Sequence, residues 1–228
     1  MDKKKLNQAQ FDTLIGCLLG DANMQTENGH SWRIRFIHKA IHEPYIWHKY
    51  KLFQDFCNSD PKYYSYFDEK TQNTYSRFQF NTLSFDTFEF LGNMFYKKKN
   101  NIWVKVIPFN IKKFLTPTAL AYWYMDDGAL KWEGHSNSVR LCTDSFLEHE
   151  VKILKLALEE NFDLKCSIQK KNNFSRIAIL EESYPKLKEL ILPSLLPCMF
   201  YKFPDGKNGV LEDEDIYNDI RNTFGKKK

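Results

Sequence analysis

The chain has 228 residues, 43% of them hydrophobic and 27% charged, so it can bury a sizeable core and is too apolar to be disordered. Its net charge is only +4, so charge alone does not indicate a nucleic-acid partner. The five scattered cysteines exclude a zinc ribbon and fit a reducing compartment, while the absence of a long apolar run or a secretory signal predicts no membrane partner.

The first predicted element is a helix that runs up to Asp21. Gly16 and Gly20 lie four residues apart inside it, although each glycine costs up to about 1 kcal/mol against alanine in a helix. A close approach of a second helix backbone is the physical reason we expect for both glycines. The apolar residues of this helix form one stripe at helical spacing: Phe11, Leu14, Ile15, Leu18 and Leu19.

Two alternating segments follow, Arg33 to Phe36 and Tyr75 to Phe80, and their period of two predicts half-buried strands. A run of three lysines, Lys97 to Lys99, comes next. Such runs are mostly solvated loops and only secondarily phosphate contacts. The first half then reaches a lysine shortly before a proline, at Lys105.

The second half opens with a helix that runs to Asp127. Thr116 is predicted as its N-cap and Pro117 as its first residue. A strand from Val139 to Cys142 follows, and then a helix from Val151 to Asn161, for which we predict that Ser145-x-x-Glu148 is the capping box.

Two further strands are predicted near the end of the chain, Lys165 to Lys171 and Phe174 to Ile179. Lys202 then precedes a proline, as Lys105 does. The order of helix, strand, strand, helical segments and lysine therefore occurs twice, with no Gly/Ser-rich linker between the copies. We predict two abutting halves of one pseudo-symmetric fold, residues 1–112 and 113–205, followed by a tail, 206–228.

One face of the predicted strands is apolar, and the other collects basic and amide side chains. Any solvated sheet face is polar, but arginine and glutamine are also the side chains that read guanine and adenine in the major groove. The recurrence of this face in both halves favours DNA binding. The candidate contact residues are Arg33, Arg35, Tyr75, Arg77, Gln79, Arg140, Lys165, Ser167, Gln169, Lys171 and Arg176.

Asp21 and Asp127 are each predicted at a helix C-terminus, where the helix dipole disfavours a carboxylate. If the glycine face brings the two helices together, the two carboxylates approach each other as well, and bound cations relieve the repulsion. Oxygen ligands favour Mg²⁺. The alternative is that each aspartate merely begins a turn, but two such residues at equivalent repeat positions favour a metal site.

The motifs Leu14 to Ala22 and Leu120 to Gly128 resemble the two signature motifs of the LAGLIDADG homing endonucleases. The resemblance covers about Phe11 to Pro204. It includes Thr116-Pro117 before the second motif and Tyr201-Lys202-Phe203-Pro204 near the end, as in the two-motif, single-chain members.

This resemblance implies an α+β fold, a pseudo-two-fold pair of αββαββα units with a central packed helix pair and two saddle-shaped antiparallel sheets. It implies a monomer that cuts both strands of a long double-stranded DNA site with Mg²⁺ and leaves short 3′ overhangs. The eighth motif residues, Asp21 and Asp127, would bind the catalytic metals. Lys105 and Lys202 would lie close to the scissile phosphates.

The chain departs from the family pattern at three positions. Ala22 replaces the final glycine of the first motif. Tyr122 stands where the first motif has Gly16, so the helix interface is not symmetric. Asp126 lies beside the catalytic candidate Asp127 and offers a second carboxylate, although the match favours Asp127 as the ligand.

Two alternatives have the same fold. One is a maturase that binds intron RNA to assist splicing, and the other is a catalytically inactive DNA-binding protein. Retention of both aspartates and both lysines argues against the inactive protein. A zinc-dependent nuclease is excluded because its ligands are missing. The richness in Lys, Asn, Ile, Phe and Tyr is typical of an AT-rich genome, so a mitochondrial or chloroplast location stays open.

Overall fold

A computed structural model describes residues 4–132, 135–171 and 173–206 of the chain. The first half contains, in order, α1 (Gln8–Leu19), β1 (Asn23–Gln25), β2 (Arg33–Lys39), α2 (Glu43–Phe53), β3 (Lys62–Asp68), β4 (Asn73–Asn81) and α3 (Glu89–Phe95). The second half repeats this order with α4 (Pro117–Asp127), β7 (Gly128–Trp132), β8 (Ser136–Leu141), α5 (Glu148–Phe162), β9 (Cys166–Lys171), β10 (Phe174–Ile179) and α6 (Tyr184–Ile191). Each half is therefore an αββαββα unit, as the resemblance implies.

The two four-stranded sheets have the same antiparallel topology. The strand order is β1-β2-β4-β3 in the first half and β7-β8-β10-β9 in the second. The alternating segments singled out in the sequence become β2 and β4, and then β8 and β10, so the internal repeat is a repeat of structure. The α+β fold with two related halves is confirmed.

Helices α1 and α4 pack directly against each other at the junction of the halves. A Cβ atom added at Gly16 would lie 2.2 Å from the backbone oxygen of Ala119 and 2.8 Å from the Cβ of Tyr122. One added at Gly20 would lie 2.5 Å from the Cβ of Asp126. The prediction that both glycines permit close helix approach is confirmed, and Tyr122 fills the space that Gly16 leaves on the opposite helix.

One hydrophobic core runs through both halves. It contains the buried faces of α1 and α4, where Leu14, Leu18, Leu120 and Trp123 are fully buried. The halves are also joined by Glu150, a buried carboxylate on α5 that accepts a hydrogen bond from the Ile107 backbone N–H at 2.9 Å. The two halves therefore share their core.

Some boundaries of helices and strands differ from the predictions, and others are confirmed. Helix α1 ends at Leu19, so Asp21 lies two residues beyond it, whereas α4 ends at Asp127 as predicted. Thr116 caps α4 by accepting from the Ala119 N–H, which confirms its predicted role. The strand expected from Lys165 begins at Cys166.

The predicted capping box of Ser145 and Glu148 is wrong. Helix α5 begins at Glu148, and Leu147 occupies the N-cap position. The carboxylate of Glu150 accepts a 2.8 Å bond from the Leu147 N–H. The same carboxylate also accepts a hydrogen bond from the Ile107 N–H in the first half. The start of α5 therefore depends on a contact with the other half of the molecule.

A two-stranded ribbon that was not predicted lies between the halves and is formed by β5 (Tyr96–Lys99) and β6 (Ile102–Lys105). Asn100 and Asn101 form its turn with φ of 48° and 63°, the left-handed values that a two-residue hairpin turn of this type requires. The chain then passes through a 3-10 turn, Ile111–Lys113, into α4. The predicted tail, 206–228, lies outside the described residues except for Gly206. Among the helices of the described residues, none is long and apolar enough to cross a membrane.

Candidate catalytic centre and nucleic-acid face

Asp21 and Asp127 lie at the neighbouring C-terminal ends of α1 and α4. Burial and then the charge of Asp21 raise the pKa of Asp127 to about 8. Burial and the charge of Asp126 raise the pKa of Asp21 to about 6. Three carboxylates therefore meet at these helix ends, and their repulsion disfavours full ionisation in the absence of a cation.

Asp126 is the one carboxylate of the three that the protein itself neutralises. Its side chain is fully buried, and its Oδ1 accepts 2.7 Å bonds from both Lys49 Nζ and Tyr45 Oη. Its Oδ2 accepts from the Asp21 backbone N–H at 3.2 Å. Burial opposes both charges, but mutual attraction wins, so the pKa of Asp126 is lowered and that of Lys49 is raised. Asp126 is an internal ion-pair partner that fixes the backbone at Asp21.

His38 links this ion pair to Asp21. Its Nε2 lies 2.9 Å from Lys49 Nζ, and its Nδ1 lies 3.5 Å from Asp21 Oδ2. An ammonium only donates, so Nε2 accepts and Nδ1 carries the proton that points at Asp21. Burial and the Lys49 charge hold the pKa of His38 well below its usual value, which keeps the imidazole neutral.

Lys105 and Lys202 occupy equivalent places at the two helix ends. Lys105 Nζ donates to the carbonyl oxygens of Gly20 at 3.0 Å and Ala22 at 2.8 Å. Lys202 Nζ donates to those of Met125 at 2.5 Å and Asp126 at 2.8 Å. Each lysine therefore binds the carbonyl end of the motif helix in its own half.

Burial lowers the pKa of Lys105 to about 8, and it also lowers the pKa of Lys202. The charges of both lysines in turn act to lower the pKa values of Asp21 and Asp127. The structure therefore brings together all four residues predicted to be catalytic.

In the first half, the predicted contact residues share one face of the sheet. Arg35 Nη2 donates to Gln79 Oε1 at 3.0 Å, and Arg33 Nε donates to Gln25 Oε1 at 2.9 Å. Tyr75 and Arg77 lie on the same face, because alternate residues of β4 point to the same side.

In the second half, the register places Arg140, Ser167, Gln169 and Arg176 on one face, because Arg176 pairs with Gln169 and Ala178 lies between Arg140 and Ser167. Arg176 is held by a bidentate ion pair with Asp144, in which Nε lies 2.6 Å from Oδ1.

Two predicted contact residues at the ends of β9 stand apart from this group. Lys165 precedes the strand and pairs with Glu182 at 3.1 Å. Lys171 ends the strand opposite Phe174, and its side chain lies outside the described part of the structure.

Three of the predicted arginines carry unused hydrogen-bonding capacity. In the part of the chain that the structure describes, the Nε atoms of Arg35, Arg77 and Arg140 are covered by other atoms and hydrogen bond to nothing. A buried donor without a partner costs free energy. Because these three Nε atoms are covered by the protein, any contact with another molecule would come from the terminal nitrogens of the guanidinium groups.

The fold brings several residues to these sites that the sequence pattern did not predict. Tyr64 and Tyr66 of β3 are exposed at 43% and 55%, and they lie opposite Arg77 and Tyr75 on the polar face. Their all-exposed strand has no clear apolar alternation, so the pattern gave no signal. His38 and Lys49 could have been found, because His38 continues the buried alternation of β2 and Lys49 falls on the helical stripe with Tyr45 and Phe53.

An open cleft of about 670 Å³ connects the catalytic centre to the first sheet. Its lining includes Asp21, His38 and Lys202 of the catalytic centre and Tyr75 and Arg77 of the first sheet. The candidate chemistry and the candidate DNA face are therefore continuous.

Comparison with known proteins gives the same family that the two motifs resemble. The profile of the LAGLIDADG DNA endonuclease family matches residues 11–187. DNA endonuclease I-ChuI of Chlamydomonas applanata is 41% identical over 216 residues, which are 90% of this chain and 99% of the relative.

A solved structure and a maturase are also similar. The homing endonuclease I-WcaI, solved bound to its DNA recognition sequence, superposes with a TM-score of 0.79 at 30% identity and 87% coverage of both chains. A cytochrome b mRNA maturase bI2 of Debaryomyces hansenii is 29% identical over 87% of this chain and 75% of its own length.

Proposed function

Because the chain belongs to the LAGLIDADG DNA endonuclease family and is a site-specific homing endonuclease, we propose that it cuts both strands of a long duplex by metal-dependent hydrolysis. The observation that carries this proposal is the meeting of Asp21 and Asp127, one from each half, at two adjacent helix ends. Short 3′ overhangs and a monomeric enzyme are parts of the same proposal.

Asp21 and Asp127 are the proposed ligands for Mg²⁺. The donor set fits a hard cation, since two carboxylates and the carbonyl ends of two helices concentrate oxygen atoms and negative charge. When bound, divalent cations supply an activated water and neutralise charge on the scissile phosphate. The pKa values of the two carboxylates are raised by burial first and then by the neighbouring carboxylate charges, and bound cations would offset both effects.

A second group, formed by Asp21, His38 and Asp126, also brings ligand atoms within 4.8 Å of one another. It suits a cation poorly. The Lys49 ammonium lies 2.7 Å from Asp126 Oδ1 and 2.9 Å from His38 Nε2, so a metal ion there would face a buried positive charge. We therefore assign Asp126 and His38 to holding Asp21 in place.

Lys105 and Lys202 are proposed to stabilise the charge that grows on the phosphate during hydrolysis. Both ammonium groups are held by backbone carbonyls, so they are oriented before substrate binds. The two sheets would lie in the major groove, where the arginines of their polar faces, such as Arg35, Arg77 and Arg140, would contact base edges or phosphates. Bending of the DNA would add to specificity.

Cleavage of a randomised DNA library with Mg²⁺, followed by sequencing of the ends, tests this proposal. We expect cut products with short 3′ overhangs. Asp21→Asn and Asp127→Asn are expected to abolish cutting while both variants still bind the recovered duplex in Ca²⁺. Turnover near the wild-type rate in either variant would refute the assigned roles.

The similarity to a cytochrome b mRNA maturase favours one second candidate, RNA binding in intron splicing. This candidate expects binding of the host intron RNA with weak or absent DNA cutting. The same library experiment separates the two, because a maturase without nuclease activity yields no cut product.

A further inference from the structure

The β5–β6 ribbon carries the lysine run Lys97 to Lys99, which the proposed catalytic centre does not use. All three side chains are exposed, and Lys97 Nζ donates to the Asn93 carbonyl at 2.9 Å. Within the described residues, no carboxylate lies within ion-pair distance of these three lysines. Several other surface lysines of the chain do form ion pairs with a carboxylate, namely Lys112, Lys152, Lys165 and Lys186. Among the described residues, Lys98 and Lys99 therefore have no carboxylate partner, and both lie on a defined hairpin.

The ribbon is fixed at the catalytic end of the first sheet. Its last residue is Lys105, which binds the carbonyls beside Asp21. The hydroxyl of Tyr96, opposite Lys105, accepts a 2.8 Å hydrogen bond from the Met24 N–H on the edge strand β1. The base of the ribbon thus lies between the catalytic centre and the sheet edge.

The ribbon then runs beside the β1–β2 hairpin, away from the catalytic centre. Trp103 packs edge-on against Trp32, with ring centroids 5.0 Å apart, and faces Gly29 in the hairpin loop. Trp32 immediately precedes Arg33 in the chain, so the ribbon extends along the edge of the sheet as far as Arg33. A duplex on that face would have one of its backbones beside this sheet edge.

Lys98 and Lys99 lie near the tip of the ribbon, at short distances from Lys105. Lys98 lies opposite Trp103 and Lys99 opposite Ile102, two and three residues from Lys105 along β6. At about 3.3 Å per residue these steps are roughly 7 and 10 Å. Successive strand residues point to opposite faces, so Lys98 shares the face of Lys105 and Lys99 lies on the other face, and the two long side chains flank the tip of the ribbon.

We propose that the β5–β6 ribbon is a DNA backbone clamp, in which Lys98 and Lys99 bind phosphates next to the cleavage position that Lys105 serves. The position of the contact rests on the proposed function; the contact itself requires only that duplex DNA lies on the sheet. In the described part of the second half, the equivalent lysine, Lys202, lies in a 3-10 turn, Pro197–Lys202, without a hairpin. The clamp is therefore a contact of one half, which makes the interface directional.

Salt-dependent binding to non-specific DNA tests the clamp without any cleavage. The probe is a fluorescein-labelled duplex of about 30 base pairs and mixed sequence, titrated in EDTA between about 50 and 200 mM salt. Each lost phosphate contact lowers the slope of log K against log salt by about 0.9. We expect Lys98→Gln/Lys99→Gln to make the slope shallower by about 1.8, and Lys98→Arg/Lys99→Arg to retain the wild-type slope.

Lys112→Gln/Lys113→Gln is the matched control, since it removes the same charge from an adjacent pair at the opposite end of α4, roughly 16 Å from Asp127 along an 11-residue helix. Its slope should stay at the wild-type value. Equal slopes for the ribbon and control variants, or no duplex binding by the wild type at the lowest salt, would overturn the clamp. If the wild type does not cut DNA in Mg²⁺ while the slope difference is present, the proposed function is wrong and the clamp stands.

Discussion

Lys49 is a fully buried ammonium, and Asp126 is the fully buried carboxylate that compensates it. Removing one member of such a pair leaves an uncompensated charge in the interior, at a cost of about 3–5 kcal/mol. We expect Lys49→Met to lower the free energy of unfolding by about that amount in urea titrations. Lys49→Met/Asp126→Asn should recover part of the loss, because it also removes the orphaned charge. Equal destabilisation in the single and double variants would show that the pair is not coupled.

Asp127 should make the metal-free protein less stable at alkaline pH. Its pKa in the folded protein is about 8, against a usual value of 3.8, so the folded state holds a proton that the unfolded state has released between these values. Stability therefore falls as the pH rises from about 4 to 8. Asp127→Asn removes this penalty.

Thermal unfolding in EDTA checks the prediction for Asp127. The variant should melt above the wild type at pH 8, by at least about 2–4 °C, which corresponds to about 1 kcal/mol for a chain of this size. The difference should shrink towards zero near pH 4. A difference that is constant with pH, or a variant less stable than the wild type at pH 8, would contradict the raised pKa of Asp127.

At the scale of elements, the contact of α1 with α4 depends on the missing side chain of Gly16. Glycine-to-alanine substitution inside a helix ordinarily stabilises by about 1 kcal/mol. At Gly16 the new Cβ would meet the Ala119 carbonyl at 2.2 Å, so the helices must move apart. We expect Gly16→Ala to destabilise by about 1–3 kcal/mol in urea titrations, the cost of overpacking.

Gln8→Ala, on the exposed first turn of the same helix, is the control and should change stability by less than about 0.5 kcal/mol. If Gly16→Ala stabilised the protein, the close helix contact would be wrong. Because both carboxylates follow this contact, Gly16→Ala should also slow cleavage of a recovered target duplex.

The order of the elements could be predicted from the sequence because each half repeats it. The glycine pair of Gly16 in α1 and Gly20 just after it, the Thr116 cap and the alternation of β2 and β10 are local signals, and the structure confirms them. The start of α5 could not be predicted this way. It depends on Glu150 reaching the backbone of Ile107, a contact between residues 43 positions apart.

The same distinction applies to the candidate site. Asp21 and Asp127 could be predicted because they stand at the same place in the two halves, at the end of a helix that the sequence pattern indicates. The buried pair of Lys49 and Asp126 exists in one copy only, since Gly20 stands at the equivalent position of the other. The repeat therefore gave no signal for this pair, which appears only once the two halves are packed together.

At the scale of the whole molecule, the central claim is that the two halves each contribute one carboxylate to a shared site for divalent cations. Electron paramagnetic resonance of Mn²⁺ measures this directly, because bound Mn²⁺ leaves the sharp signal of the free ion. The titration uses the protein with a recovered target duplex, at pH 8. His38→Gln serves as the control, since it alters the competing group of Asp21, His38 and Asp126 but leaves both proposed ligands in place.

We predict that the wild type and His38→Gln bind Mn²⁺, and that Asp21→Asn and Asp127→Asn each lose most of this binding while the duplex stays bound. Full Mn²⁺ binding by Asp127→Asn, together with its loss in His38→Gln, would contradict the shared site and place the metal beside Lys49 instead.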